Sequence, residues 1–174
     1  LPSSFSHGNG HNFTWYDHIG EHMASWGYIV MSHQNNTMPG IETASTTTLE
    51  NTDDFLGNLS SIDGGALVGH VDSSRITWIG HSRGGEGVVR AYTRLVGGYS
   101  VQNYSAADIK LISSIAPVTF NTPANSNPGD VNYHLWVGSA DNDVTGVSAQ
   151  TQMYSLMERA VGYRSSITLQ GAGH

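Results

Sequence analysis

The residues whose types and spacing are best suited to a chemical reaction lie in the segment "ITWIGHSRGGEGVV", residues 76–89. Gly80, Ser82 and Gly84 fit the pattern G-x-S-x-G, in which a sharp strand-to-helix turn exposes a serine hydroxyl. An apolar, β-branched run precedes the motif and an amphipathic helical run follows it. This is the strand–turn–helix order that a nucleophilic serine of this kind requires. We therefore predict that Ser82 is a nucleophile, the alternative being a glycine-rich turn with an uninvolved serine.

A serine hydroxyl is a weak nucleophile unless a base accepts its proton and an acid orients that base. Two later loops supply such groups: "SADNDV" contains Asp141 and Asp143, and "QGAGH" ends in His174. Each loop follows a strand-like run, and open α/β sheets place their chemistry at the carboxyl ends of strands. We predict that His174 is the general base, the alternative being a disordered terminal histidine, and both aspartates are open as the acid.

An oxyanion formed at this serine needs hydrogen-bond donors aimed at it. The backbone N–H of Arg83 begins the helix after the serine, where the positive end of the helix dipole adds to its effect. The segment "SHGNGHN", residues 6–12, has glycines that permit a close approach, and the backbone N–H of Asn9 is the second predicted donor. An ordinary Gly/Asn turn is the alternative interpretation of this segment.

Aromatic side chains adjoin these segments and are candidates for the lining of a substrate cleft. They are Trp15, Tyr16 and His81. Trp15 also begins a helical apolar stripe with Ile19 and Met23, and the alternative is that it belongs to the core.

A rival chemistry is suggested by "HIGEH", residues 18–22, which matches the H-x-x-E-H arrangement of some zinc peptidases. Two imidazoles one helical turn apart can bind zinc. However, Gly20 weakens the helix, Glu21 projects away from the histidine face, and the sequence offers no evident third ligand. We therefore expect no metal, and interpret these histidines as packed or half-exposed residues.

Short apolar runs alternate with longer amphipathic ones, which is the pattern of a parallel sheet covered by helices. The predicted strands are 3–7, 28–33, 75–80, 109–116, 133–138 and 164–169, and the predicted helices are 14–26, 45–60, 83–96 and 147–161. The loop 121–131 is too short and too rich in turn residues to hold a cap domain. We expect residues 1–174 to form one α/β domain with a mostly parallel central sheet flanked by helices.

Composition narrows the classes of partner. The 174 residues include no cysteine and carry a formal charge of −7 with a single lysine, so thiol chemistry is excluded and nucleic acid is an unfavoured partner. No apolar run approaches the roughly 20 residues of a membrane span. Four N-x-S/T sequences, beginning at Asn12, Asn35, Asn58 and Asn103, favour an exported protein, extracellular or periplasmic. The oligomeric state is open.

The segments quoted above resemble the α/β-hydrolase superfamily, and within it the bacterial lipase, cutinase and polyester-hydrolase branch, with some likeness to platelet-activating-factor acetylhydrolases. The similarity extends from "SHGNGHNFTWYDHIGEHMASWGYIVMSHQNNT" through the serine motif to "LWVGSADNDVTG" and "ITLQGAGH". It implies a triad of Ser82, Asp141 and His174, with backbone donors from Asn9 and Arg83. The implied substrate is a small-molecule or polymeric carboxylic ester, cleaved without metal or cofactor.

The choice of acid depends on this resemblance. The spacing G-x-x-D-x-x-V that is common in the superfamily selects Asp141, whereas the spacing of the polyesterase branch would point to Asn142. An acyltransferase or peptidase with the same triad is an alternative function. A hydrolase-like binding domain without activity is another alternative.

The resemblance also implies elements that this sequence lacks. The family has two further strands before the first and a helix after the histidine, so we expect the chain to be a core segment of a longer protein. The strand at 28–33 should then be an edge strand, whose backbone groups are open to pairing. The C-terminal disulfide of cutinase-like members cannot form here, because there is no cysteine.

Overall fold

The computed structural model describes residues 1–35, 40–144 and 149–174, in which strands and α-helices largely alternate. The elements are β1 (Pro2–Ser6), α1 (Asp17–Ser25), β2 (Ile29–His33), α2 (Ile41–Gly57), β3 (Ile76–His81), α3 (Arg83–Val96), β4 (Ile109–Ile115), β5 (Asn132–Gly138), α4 (Ala149–Arg159) and β6 (Arg164–Leu169). The five strand pairs within these ranges are all parallel. The predicted α/β class with a parallel central sheet is therefore confirmed.

The predicted strands agree with the observed ones to within one residue at every end, but the helices differ more. Helix α2 begins at Ile41, four residues before the predicted start, and the first residues of the predicted helix 147–161 lie outside the described ones. Helix α2 packs along α3, and its polar threonines are tolerated there because their hydroxyls donate to carbonyls one turn back, as Thr48 does to Ala44.

The strand order places a reversal beside the predicted serine. The sheet runs β2-β1-β3-β4-β5-β6, so the chain moves from β1 outward to β2 and then crosses to β3 on the other side of β1. Loops after β1 and β3 therefore leave in opposite directions and open a crevice at the carboxyl ends of these strands, where α/β proteins bind ligands. Strand β2 lies at the edge, as predicted.

The two faces of the sheet are covered unequally. Helices α2, α3 and α4 pack on one face, where Trp78, Ile112 and Leu135 are fully buried in the main core. The opposite face meets α1, and a cleft of about 480 Å³ remains there between α1 and alternate residues of β3 to β6, such as Ile79 and Trp136. The side chains of β3 thus alternate between a closed core and a more open face.

Helix α1 is shorter and more exposed than predicted. Residues Phe13–Tyr16 form a 3-10 turn and the α-helix begins at Asp17. Trp15 is 59% exposed, so the alternative that it belongs to the core is wrong. The 3-10 turn advances about 120° per residue instead of 100°, which takes Trp15 off the stripe of the following helix.

No helix in the described ranges combines the length and the apolarity that crossing a membrane requires.

Candidate active site

Ser82 lies in a tight turn between β3 and α3. Its backbone has φ 56° and ψ −121°, a conformation that costs free energy for a residue with a Cβ. Neighbouring segments hold it there: the Ser82 N–H donates to the carbonyl of Ile115 at 2.9 Å, and its own carbonyl accepts from Val118 at 3.3 Å. The side chain therefore lies at the end of β3, on the residue that directly precedes the 14-residue helix α3.

Gly80 and Gly84, on either side of Ser82, leave no room for a side chain. A Cβ on Gly80 would lie 2.2 Å from the carbonyl oxygen of Gly84, and one on Gly84 would lie 2.3 Å from the carbonyl oxygen of Ser6. The helix thus begins in direct contact with the backbone at the end of β1. A side chain at either position would therefore clash with backbone atoms.

The structure brings Asp141 and His174 together beyond the ends of β5 and β6. Nδ1 of His174 lies 2.8 Å from Oδ2 of Asp141, whose side chain is fully buried. Oδ1 accepts from the backbone N–H groups of Asp143 and Val144 at 2.9 and 3.2 Å. Burial opposes ionisation, but the hydrogen bonds from His174 and these N–H groups prevail and lower the pKa of Asp141, so it is ionised at neutral pH.

The other nitrogen of His174 faces a second carboxylate. Nε2 lies 3.3 Å from Oδ2 of Asp143, whose side chain is 73% exposed. Among the described residues, no hydrogen bond joins Ser82 to His174. We call the turn around Ser82, residues 80–84, the elbow. The imidazole of His174 lies beside it, because its ring centroid is 4.6 Å from that of His81, the residue before Ser82.

The segment after β1 approaches the elbow as predicted for an oxyanion loop. A Cβ on Gly8 would lie 3.0 Å from Cβ of Ser82, so the backbone of this loop touches the serine. The side-chain oxygen of Asn9 accepts from the guanidinium of Arg83 at 3.3 Å. The two residues predicted to supply the oxyanion donors are therefore neighbours in space.

The predicted cleft residues form one aromatic group with an unpredicted histidine. The Tyr16 hydroxyl lies 2.8 Å from Nδ1 of His81 and 2.6 Å from Nδ1 of His11, and these two imidazoles stack with centroids 5.2 Å apart. The exposed Trp15 ring contacts His11 at 4.9 Å. The sequence contains a signal for His11, since it lies only two residues beyond Asn9 in the same loop.

Sequence reasoning also missed a buried carboxylate behind the elbow. Glu86, on the first turn of α3, accepts the backbone N–H groups of Phe120 and Asn121 at 2.7 and 2.8 Å. The Phe120 ring in turn lies 5.8 Å from the guanidinium of Arg83, at a cleft of about 410 Å³. Nothing in the sequence distinguishes Glu86 from a solvated helix-face charge.

The motif of the rival zinc chemistry lies on α1. His18, Glu21 and His22 are all exposed there. Across residues 1–35, 40–144 and 149–174, no group of three or more histidine, cysteine, aspartate or glutamate side chains is arranged to hold a metal ion.

Comparisons with known proteins yield no match, neither to a protein-family model nor to a curated protein. Any functional interpretation therefore depends on the geometry of this site and on its residue types. The serine is strained and buried, a carboxylate orients the nearby imidazole, and two backbone segments converge on the serine.

Proposed function

We propose that the protein is a serine hydrolase of the α/β-hydrolase type that cleaves carboxylic esters through an acyl-enzyme. One observation carries the proposal: Ser82 has positive φ at a strand-to-helix turn, and an imidazole that a buried carboxylate orients packs against His81, the residue before it. Each part has an ordinary structural explanation alone, but a strained serine, an oriented base and glycine-cleared space together are what acyl transfer needs.

In this mechanism, His174 accepts the proton of Ser82 as the hydroxyl oxygen attacks the ester carbonyl. Asp141 holds the imidazole with Nδ1–H towards itself, which leaves Nε2 as the basic nitrogen. Nε2 must turn from Asp143 towards Ser82 when substrate binds. Hydrogen bonds between a nucleophile and its base commonly tighten only in the substrate complex.

Negative charge then develops on the former carbonyl oxygen. The backbone N–H groups of Arg83 and Asn9 are the proposed donors to it, and the dipole of α3 adds a positive potential at the same place. Loss of one such donor typically raises the barrier by about 3–4 kcal/mol. Collapse of the intermediate expels the alcohol, which takes its proton from His174. Water then repeats the sequence on the acyl-enzyme.

The proposed substrate is a small-molecule or polymeric ester whose acyl group lies near Trp15, Tyr16 and His81. The exposed Trp15 offers an aromatic surface at the rim, whereas His81 is buried and Tyr16 is half-buried with its hydroxyl engaged. We therefore expect Trp15 to contact substrate most directly. Loss of its indole should raise KM for bulky esters more than for acetate esters.

The decisive experiment combines hydrolysis of p-nitrophenyl esters with labelling by a fluorophosphonate, which reacts with activated serines. We expect labelling on Ser82 and a loss of about 10⁴-fold or more in kcat for Ser82→Ala. Ser73→Ala is a matched control, because Ser73 is exposed in the turn before β3. Undiminished hydrolysis in Ser82→Ala would refute the proposal.

Two added measurements separate the alternatives. If the folded protein is not labelled at Ser82 and shows no hydrolysis, a binding domain without activity is the better interpretation. Chelator treatment distinguishes zinc chemistry, since the serine mechanism is indifferent to it and a zinc peptidase would lose its activity.

A further inference from the structure

The hydroxyl of Tyr16 joins separate chain segments around the proposed site. It lies 2.6 Å from Nδ1 of His11 and 2.8 Å from Nδ1 of His81, and the backbone N–H of Gly8 donates to it at 3.3 Å. The ring itself packs on Phe5, with centroids 4.4 Å apart. Removal of the hydroxyl would therefore leave the ring packing in place and break only the polar connections.

The protons of this network can be assigned by counting. A phenol donates one hydrogen bond and accepts two, and one acceptor position is used by Gly8. Tyr16 therefore donates to Nδ1 of one histidine and accepts from Nδ1–H of the other, so His11 and His81 hold opposite tautomers. Burial lowers the pKa of His81 to about 3, lowers that of His11 and raises the pKa of Tyr16 to about 12, which keeps all three uncharged at neutral pH.

The partners of the hydroxyl flank the two proposed oxyanion donors. Gly8 immediately precedes Asn9, and His81 lies two residues before Arg83. Contact between Gly8 and the serine is already tight, since a Cβ on Gly8 would come within 3.0 Å of Cβ of Ser82. Displacement of a reacting group by about 1 Å can cost about a hundredfold in rate.

We infer that the Tyr16 hydroxyl is a positioning group that sets the separation between the backbone N–H groups of Asn9 and Arg83. It acts through Gly8 and His81 and does not itself touch the ester. The inference rests on the proposed function, because the separation matters only when negative charge develops between these donors. It gives Tyr16 a role different from lining the acyl cleft.

Tyr16→Phe tests this role because it removes the hydroxyl and keeps the ring. We expect kcat for a p-nitrophenyl ester to fall about 10- to 100-fold, while KM changes by less than about threefold. An alkyl boronic acid, which forms a tetrahedral adduct with the serine, should lose affinity by about the same factor as kcat/KM falls. A cleft-lining role alone would instead raise KM.

Tyr104→Phe is the matched control. Its hydroxyl also makes a hydrogen bond, donating to the carbonyl of Leu49 at 3.0 Å, but it belongs to the core beneath α2. We expect this variant to unfold at a lower temperature and to keep the kcat and boronate affinity of the parent. Thermal unfolding of Tyr16→Phe shows that the compared protein is folded.

Imidazole ¹⁵N NMR of the parent gives a readout that does not depend on activity. It should show one of His11 and His81 protonated at Nδ1 and the other at Nε2, and Tyr16→Phe should abolish this difference. Equal tautomers in the parent, or unchanged kcat and boronate affinity in folded Tyr16→Phe, would overturn the inference. A parent that neither hydrolyses esters nor is labelled at Ser82 means instead that the proposed function has failed, and the inference with it.

Discussion

Nδ1 of His174 lies 2.8 Å from Oδ2 of Asp141, although 33 positions separate the two residues in the chain. Asp143 contacts the same imidazole from the other side, at 3.3 Å from Nε2. The two carboxylates differ in burial, since the Asp141 side chain is fully buried and that of Asp143 is 73% exposed. The geometry favours Asp141 as the orienting acid of the proposed mechanism.

The paired variants Asp141→Asn and Asp143→Asn test this assignment. We expect Asp141→Asn to lower kcat by about 10³- to 10⁴-fold, because an amide can stabilise the wrong tautomer of His174 and cannot stabilise the imidazolium. Asp143→Asn should change kcat by only a few-fold, since solvent screens an exposed carboxylate. Ester hydrolysis at saturating substrate measures both, and an equal loss in the two variants would contradict the choice of Asp141.

Gly8→Ala should impair the proposed reaction more than the fold. The added Cβ would meet Cβ of Ser82 and Nδ1 of His11, each at 3.0 Å, and would push the proposed oxyanion loop, residues 6–12, away from the serine. We expect kcat to fall about 10- to 100-fold with KM little changed. Steady-state kinetics and thermal unfolding on the same sample separate the two effects.

Gly20→Ala is the control, because it adds the same methyl group to a glycine outside the loop that contacts Ser82. Gly20 lies inside α1, where an added Cβ would be 3.8 Å from Val30, an ordinary contact. Alanine is favoured over glycine in a helix by about 1 kcal/mol, so this variant should be more stable and equally active. A similar loss of kcat in both variants would show that the effect is not specific to the loop.

The parts of the fold that could be predicted from sequence are those with local causes. Apolar runs marked the strands, and the strand-to-helix context of the segment around Ser82 predicted the elbow that the structure contains. The approach of Asp141 to His174 followed from their positions after two strand-like runs, because parallel strands end at one edge of a sheet. The catalytic roles of these residues stay predictions until activity is measured.

What could not be predicted depends on partners distant in the chain. Tyr16 meets His81 across 65 positions, and Glu86 meets Phe120 across 34, so no local pattern signals either contact. The start of α2 was also missed, because no side chain caps the helix at Gly40 and the sequence therefore carries no capping signal there. Trp15 shows the converse case, since the apolar period favoured the core alternative, which the 3-10 turn prevents.

Glu86→Gln should destabilise the protein without removing a reacting group. The carboxylate is fully buried and accepts two backbone N–H groups, from Phe120 and Asn121. An amide has only one oxygen to accept with, so its NH₂ group would face one of these donors. We expect the free energy of unfolding to fall by about 1–3 kcal/mol.

Urea denaturation at pH 7 measures this loss, with Glu158→Gln as the control because Glu158 is exposed on α4. That control should stay within about 0.5 kcal/mol of the parent. If Glu86→Gln behaved like the control, the buried carboxylate would not be anchoring the loop after β4.

Stability should fall in acid partly because of His33, at the end of β2. Burial lowers the pKa of His33 from 6.5 to about 4. Between these two values, the unfolded chain binds a proton that the folded protein does not, so the free energy of unfolding decreases as the pH falls from above 6.5 towards 4. From pH 7.5 to pH 5, this one histidine accounts for a decrease of about 2 kcal/mol.

His33→Leu removes this titration, because it replaces the imidazole with an apolar side chain of similar size in the same buried position. The decrease in unfolding free energy from pH 7.5 to pH 5 should be smaller in the variant by about 2 kcal/mol, whatever its stability at neutral pH. Other buried histidines, such as His81, titrate in both proteins and cancel in the difference. Urea denaturation at the two pH values gives the four free energies. Equal decreases in parent and variant would show that His33 gains its proton at the same pH in the folded and unfolded chains.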